Sequence, residues 1–220
     1  MTPDYIIIDF DSTFITQESL DELAKYKLSN QPDSQKKLNR IKSITNAGMN
    51  GDMPFKQSID ERMELLNLNR ADINTVSKRL SECVTPSFNN NKVFINENKN
   101  KIIIISGGFK ELIVPIVKNF GILSSNVFAN DFIYSSAEKI SGINQENIMS
   151  KNKGKVKQAK LLNLQGIVHV IGDGYTDYEI KLDGPATHFF AFTENIERKN
   201  ICELADFTLS NFDDYIKILK

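Results

Sequence analysis

Three short apolar runs, each ending in acids or in serine and glycine, constrain this chain more than any other feature. They are Tyr5–Asp9, Lys101–Ser106 and Gly166–Gly172, all of strand length and rich in isoleucine or valine. An apolar run without alternation marks a strand covered on both faces, as in parallel sheets. Thr187–Phe192 has the same shape, and Phe207–Leu209 reads as a short edge. Helical patterns separate these runs at Lys110–Phe120, Gly154–Leu164, Tyr175–Leu182, Glu197–Ala205 and Phe212–Leu219. Strand alternating with helix predicts an α/β fold, a Rossmann-like, mostly parallel sheet flanked by helices.

Between the first two runs the rhythm breaks. Glu18–Leu28, Ser34–Asn46, Phe55–Leu66 and Ala71–Leu80 are helical patterns with no convincing strand among them. In the third, Phe55, Ile59, Met63 and Leu66 recur at helical spacing and predict one apolar face. The expected organisation is a core of residues 1–16 and 84–220, with a helical-bundle cap of residues 17–83 inserted after the first strand. Asn89–Asn91 and Asn144–Lys153 read as polar loops.

Composition removes several function classes. Hydrophobic residues make up 40% of the 220 and charged residues 25%, so a sizeable core is available and a disordered chain is excluded. A net charge of −1 offers no basic field for nucleic acid. No run approaches the roughly 18 apolar residues of a membrane span, and the acidic start is unlike a signal peptide. Cys83 and Cys202 form no metal-spaced pattern and are too few for a disulfide framework. A reducing, cytoplasmic setting and a small-molecule substrate are expected, without nucleic acid or membrane partners.

Ligands of open α/β sheets collect at the carboxyl ends of strands. Here those ends carry Asp9-Phe10-Asp11-Ser12-Thr13, Ser106-Gly107-Gly108 and Gly172-Asp173-Gly174-Tyr175-Thr176-Asp177. Asp9, Asp173 and Asp177 brought together require a cation, and an all-oxygen donor set suits Mg²⁺. Ser106 and the two glycines are read as opening a helix whose N–H groups seat an anion. Lys153, just before Gly154, adds positive charge and is preferred to Lys155 by register. The implied chemistry is phosphoryl transfer. Asp9, at the strand end, is the natural nucleophile. Asp11 is placed to protonate the leaving oxygen and then deprotonate water, with its carbonyl free for the metal. That role predicts a raised Asp11 pKa.

In order along the chain, these four motifs resemble those of the haloacid dehalogenase superfamily, and within it most closely the phosphoserine phosphatases. Glu18 within Gln17-Glu18-Ser19-Leu20-Asp21, Met49-Asn50-Gly51, Pro54-Phe55 and Glu61-Arg62 resemble that family's cap segments. The resemblance implies Mg²⁺-dependent hydrolysis of O-phospho-L-serine through an aspartyl-phosphate, the last step of serine biosynthesis, by a monomer or homodimer. It implies Mg²⁺ held by Asp9, Asp173 and the Asp11 carbonyl, with Asp177 orienting the metal's waters. It places Ser106, Gly107 and Lys153 on the phosphate, and Glu18, Met49, Phe55, Arg62, Gly108 and Thr176 around the substrate. The charges fit that substrate: Glu18 matches an ammonium, Arg62 offers a planar fork to a carboxylate, and Met49 and Phe55 close an apolar wall. Another small phosphomonoester, transfer to an acceptor alcohol, or a non-catalytic phosphate-binding module are the alternatives. His169 and His188, inside strands, are expected to be structural.

Overall fold

The computed structural model describes residues 2–135 and 137–220. In chain order the elements begin with β1 (Tyr5–Ile8) and four inserted helices, α1 (Ser19–Leu28), α2 (Ser34–Asn50), α3 (Phe55–Glu64) and α4 (Arg70–Leu80). Next come α5 (Pro86–Asn90), α6 (Lys92–Glu97), β2 (Ile102–Phe109), α7 (Lys110–Val117) and β3 (Val127–Asn130). A hairpin, β4 (Phe132–Tyr134) and β5 (Ile140–Ile143), precedes α8 (Gly154–Leu161), β6 (Val168–Gly172) and α9 (Tyr175–Leu182). The chain closes with β7 (His188–Phe192), α10 (Lys199–Cys202), β8 (Phe207–Leu209) and α11 (Phe212–Leu219).

Six strands form one sheet in the order β3-β2-β1-β6-β7-β8, and every pairing in it is parallel. The apolar runs are continuous because both faces are covered. Ile6, Ile8, Ile102 and Ile104 enter one core cluster, while Ile7, Ile103 and Ile105 enter the other, the two-residue period of a strand. The inserted helices share the first core through Leu23, Ile59, Ile73 and Val76. β1 sits centrally, with Ile8 opposite Ile104 of β2 and Ile171 of β6. The chain leaves it in one direction and returns on its other side, and such switch points open a crevice at the strand ends. Among the described residues no helix is long and apolar enough to cross a membrane.

Three local features differ from the sequence reading. Neither the edge strand β3 nor the β4–β5 hairpin has a counterpart in it. That hairpin grips the insertion: Ile140 N–H donates to Leu68 O at 2.9 Å, Arg70 N–H donates to Glu138 O at 3.0 Å, and the Arg70 guanidinium lies 3.8 Å from the Tyr134 ring centre. Secondly, Ser106-Gly107-Gly108 does not open a helix. It continues β2 as an irregularity between the pairings of Ile105 with Phe128 and of Phe109 with Asn130 on β3, and α7 starts only at Lys110. Thirdly, the short α5 and α6 occupy the stretch around Asn89–Asn91 that reads as loop. α5 supplies Phe88, whose ring packs against Phe14, Phe192 and Phe212 at 4.9, 5.4 and 4.3 Å between centroids.

Candidate active site

After Ile8 the chain makes a wide buried turn, closed by Ile15 N–H donating to Phe10 O at 3.0 Å. Asp9 and Asp11 have extended backbone on either side of Phe10, and both line one cavity. Ser12 then takes a left-handed φ of +53°, uncommon for a residue with a Cβ. The turn is held from outside: the Asn195 side-chain amide faces the carbonyls of Ser12 and Thr13 at 3.0 and 3.2 Å, and Phe14 is wedged beneath Phe88 and Phe120.

From the other side of the switch point, β6 ends at Gly172 and delivers Asp173. Asp177 lies in the first turn of α9 and accepts from Gly174 N–H at 3.2 Å. Asp9, Asp173 and Asp177 each offer a carboxylate oxygen within 4.8 Å of the others, and all three are buried. Lys155, also buried, places Nζ 2.9 Å from Asp9 Oδ1 and 2.7 Å from Asp177 Oδ1. Arg198 donates from Nε to Asp173 Oδ2 at 3.1 Å, and the Thr13 hydroxyl donates to Asp173 Oδ1 at 3.3 Å.

The lysine at the site is therefore Lys155 and not Lys153. Lys153 is exposed and pairs with Asp183 at 2.6 Å. It precedes α8 with a left-handed φ of +57°, whereas Lys155 lies within the first turn of that helix. Two residues on a helix point roughly 200° apart; the face bearing Gly154 and Lys155 turns inward, and Lys153 turns out.

A cavity opens above these carboxylates. Asp9, Asp11, Ser106, Gly107, Gly108, Lys155 and Thr176 line it from the sheet side, and Glu18, Met49, Phe55 and Arg62 from the insertion. Apart from Lys153, the residues singled out in the sequence thus converge on this cavity or on the acidic cluster at its floor. Phe55 lies so close over Gly107 that a Cβ there would sit 2.6 Å from its ring. The buried Arg62 uses Nε on Ser58 O at 3.2 Å and Nη1 on Thr45 Oγ1 at 3.2 Å, and Thr45 in turn donates to Asp21 at 2.8 Å. Among the described residues Nη2 makes no hydrogen bond. The half-buried Glu18 accepts from the Ser12 hydroxyl at 2.7 Å.

The electrostatics show what the site can hold. Burial, reinforced by the Asp9 charge, raises Asp11 to a pKa of about 7, as its sequence context predicts. Burial and Asp9 likewise raise Asp173 to about 6, and they push Asp177 well above the carboxylate range. Glu18 is raised by burial and by Asp11 and Asp173. Burial alone would lower Lys155, yet Asp177 and Asp9 overcome it and hold its ammonium charged. Five acids, Asp9, Asp11, Glu18, Asp173 and Asp177, face three bases, Lys155, Arg62 and Arg198. Asp9 Oδ1 is buried without a directed hydrogen bond. Hard carboxylate oxygens in excess of the bases beside them fit a divalent cation.

Arg198 is not visible as a site residue, because it follows β7 on a segment with no motif of its own; Lys155, weighed against Lys153, is one of four lysines in seven residues.

Comparison with known proteins agrees with this geometry. Residues 6–180 match the haloacid dehalogenase-like hydrolase family. The phosphoserine phosphatase of Bos taurus is 28% identical over 99% of this chain and 93% of its own. A phosphoserine phosphohydrolase-like protein from Francisella tularensis subsp. tularensis SCHU S4 superposes with a TM-score of 0.88 at 33% identity, covering 99% of this chain and all of that one. A phosphoserine phosphatase solved as a phospho-aspartyl intermediate analogue gives a TM-score of 0.77 at 26% identity, with both chains fully covered. With its sheet, its insertion after the first strand and its acidic cluster at the switch point, this chain belongs to the haloacid dehalogenase-like hydrolases.

Proposed function

We propose that the chain is a Mg²⁺-dependent phosphatase that hydrolyses O-phospho-L-serine to L-serine and phosphate. The observation carrying this reading is the pairing of Glu18 and Arg62 on one cavity wall, above Asp9 and Asp11. A phosphate monoester bearing both an ammonium and a carboxylate gives each of these side chains a partner. A substrate without the carboxylate leaves a buried guanidinium unmatched, which is costly.

In the proposed reaction an Asp9 carboxylate oxygen forms a bond to phosphorus while the bond from phosphorus to the serine oxygen breaks. Asp11 gives its proton to that departing oxygen, and its raised pKa supplies the proton near neutral pH. Water then attacks the aspartyl-phosphate, Asp11 takes the water's proton, and phosphate leaves with Asp9 restored. Mg²⁺ would be held by Asp9, Asp173 and the Asp11 carbonyl, neutralising charge on the transferring group. Lys155, Ser106 and Gly107 receive the phosphate. Asp177 fixes Lys155 and would orient the metal's waters. Arg198 fixes Asp173. Residues 17–83 act as a cap whose Met49 and Phe55, together with Thr176 on the sheet side, exclude water from the phosphate.

Phosphate release tests the substrate. O-phospho-L-serine is compared with phosphoethanolamine and glycerol phosphate, each with Mg²⁺ and with EDTA. Mg²⁺-dependent preference for O-phospho-L-serine is expected. Equal rates on all three would remove the amino acid from the proposal, and EDTA-resistant activity would remove the metal.

A further inference from the structure

Two serine–carboxylate hydrogen bonds cross between the turn after β1 and the start of α1. The Ser12 hydroxyl donates to Glu18 Oε1 at 2.7 Å, and the Ser19 hydroxyl donates to Asp11 Oδ2 at 2.8 Å. Each carboxylate is thus held by the serine next to the other carboxylate in sequence. Ser19 is fully buried and is the first residue of α1. Its Oγ, Asp11 Oδ2 and Ser106 Oγ crowd around Gly108, where an added Cβ would meet all three at 3.3 to 3.4 Å. The other oxygen of the carboxyl, Asp11 Oδ1, is buried and has no partner among the described residues.

This asymmetry distinguishes the two oxygens of one carboxyl. Oδ2 accepts a hydrogen bond and is pinned to the inserted helix. Oδ1, on a residue lining the cavity, is unpaired, and a buried oxygen without a partner is a rare arrangement that points to a ligand.

We propose that Ser19 is a positioning residue: by holding Asp11 Oδ2 it presents Asp11 Oδ1 to the bridging oxygen of the substrate. The inference rests on the acid role given to Asp11 above. In the step concerned the proton on Oδ1 passes to the serine oxygen as its bond to phosphorus breaks and the bond from Asp9 to phosphorus forms. Asp11 is left as a carboxylate, and the attacking water later returns its proton. Because Glu18 and Ser19 are adjacent, the turn that meets the substrate's ammonium also sets the acid. Binding at Glu18 therefore fixes the geometry of proton transfer.

The test exploits leaving-group chemistry. First-turnover release of the leaving group is measured with O-phospho-L-serine, whose alkoxide needs a proton, and with p-nitrophenyl phosphate, whose phenolate does not. Positioned proton transfer contributes about 10²–10⁴-fold, so Ser19→Ala is expected to slow the serine substrate by about tenfold or more. The aryl substrate should change far less, the KM for O-phospho-L-serine should hold, and Ser19→Thr, which keeps the hydroxyl, should recover the rate. Ser19→Gly serves if the alanine variant does not fold. An unchanged rate on the serine substrate, or equal losses on both substrates, would overturn the proposal. Asp11→Asn is run alongside: if it fails to discriminate between the leaving groups, the acid role of Asp11 falls, whatever Ser19→Ala shows.

Discussion

Lys155 lies 2.9 Å from Asp9 Oδ1 while its own hydrogen bond goes to Asp177. One ammonium thus bridges the acid that follows β1 and the acid that begins α9, across the crevice where a phosphate would sit.

Losing that bridge should be severe. Removing one donor to a developing oxyanion costs about 10²–10³ in kcat, and Lys155→Ala is expected to lose at least that much. The metal-free protein should also be destabilised, because breaking a buried ion pair costs about 3–5 kcal/mol. Lys153→Ala, which removes only an exposed pair with Asp183, should keep activity within about twofold and stability within about 0.5 kcal/mol. Steady-state kinetics and thermal unfolding of both variants check the assignment; the reverse ranking would refute it.

The raised carboxyls make a pH prediction for the metal-free protein. Asp11 and Asp173, at about 7 and 6, bind protons more tightly folded than unfolded. Their contribution to stability is complete below the ordinary carboxylate pKa. It is lost as pH rises through about 6 and 7. In EDTA the site's contribution should fall between pH 4 and 7, and Mg²⁺ should raise the melting temperature strongly at pH 8 and weakly at pH 5. His169, which burial lowers to about 4, contributes the opposite slope with or without metal, so the difference between the two melting curves isolates the site. A Mg²⁺ effect independent of pH would contradict this.

Arg62→Ala tests the substrate's carboxylate. Hydrogen bonds to charged groups are worth about 1.5–3 kcal/mol. KM for O-phospho-L-serine should therefore rise about 10- to 100-fold, while KM for phosphoethanolamine changes little. Equal changes on both would take Arg62 out of that role.

Gly107→Ala tests the apolar wall. The new Cβ would lie 2.6 Å from the Phe55 ring, forcing that side chain out of its seat over the cavity. Turnover should fall about tenfold or more, given how steeply rate depends on positioning, with the melting temperature nearly unchanged. Parallel assays of activity and unfolding separate this from general destabilisation.

Much of the architecture is legible because each signal has a local cause. The isoleucine runs read as two-sided strands, and the four inserted helices lie within a few residues of their sequence patterns because their apolar faces recur at helical spacing. Asp9, Asp11, Asp173 and Asp177 are legible because each sits at or just beyond a strand end. What stays hidden depends on contacts distant in sequence. Choosing Lys155 over Lys153 requires the orientation of α8. The β4–β5 hairpin has a weak pattern, three and four residues joined by a polar turn, and it is stabilised by backbone bonds to Leu68 and Arg70 of the insertion. Arg198 meets Asp173 across 25 residues of sequence. Ser106-Gly107-Gly108 resembles a helix start, yet the chain stays extended, with Asn130 donating to Gly107 O at 2.8 Å.

The central claim, covalent catalysis by Asp9 on O-phospho-L-serine, is tested most directly by quenching the enzyme in acid during turnover with Mg²⁺ and mapping its peptides by mass spectrometry. The account predicts a phosphoryl adduct on the peptide bearing Asp9, absent in EDTA and absent from Asp9→Asn, together with loss of turnover in that variant. Steady turnover by Asp9→Asn, or an adduct at another residue, would contradict it.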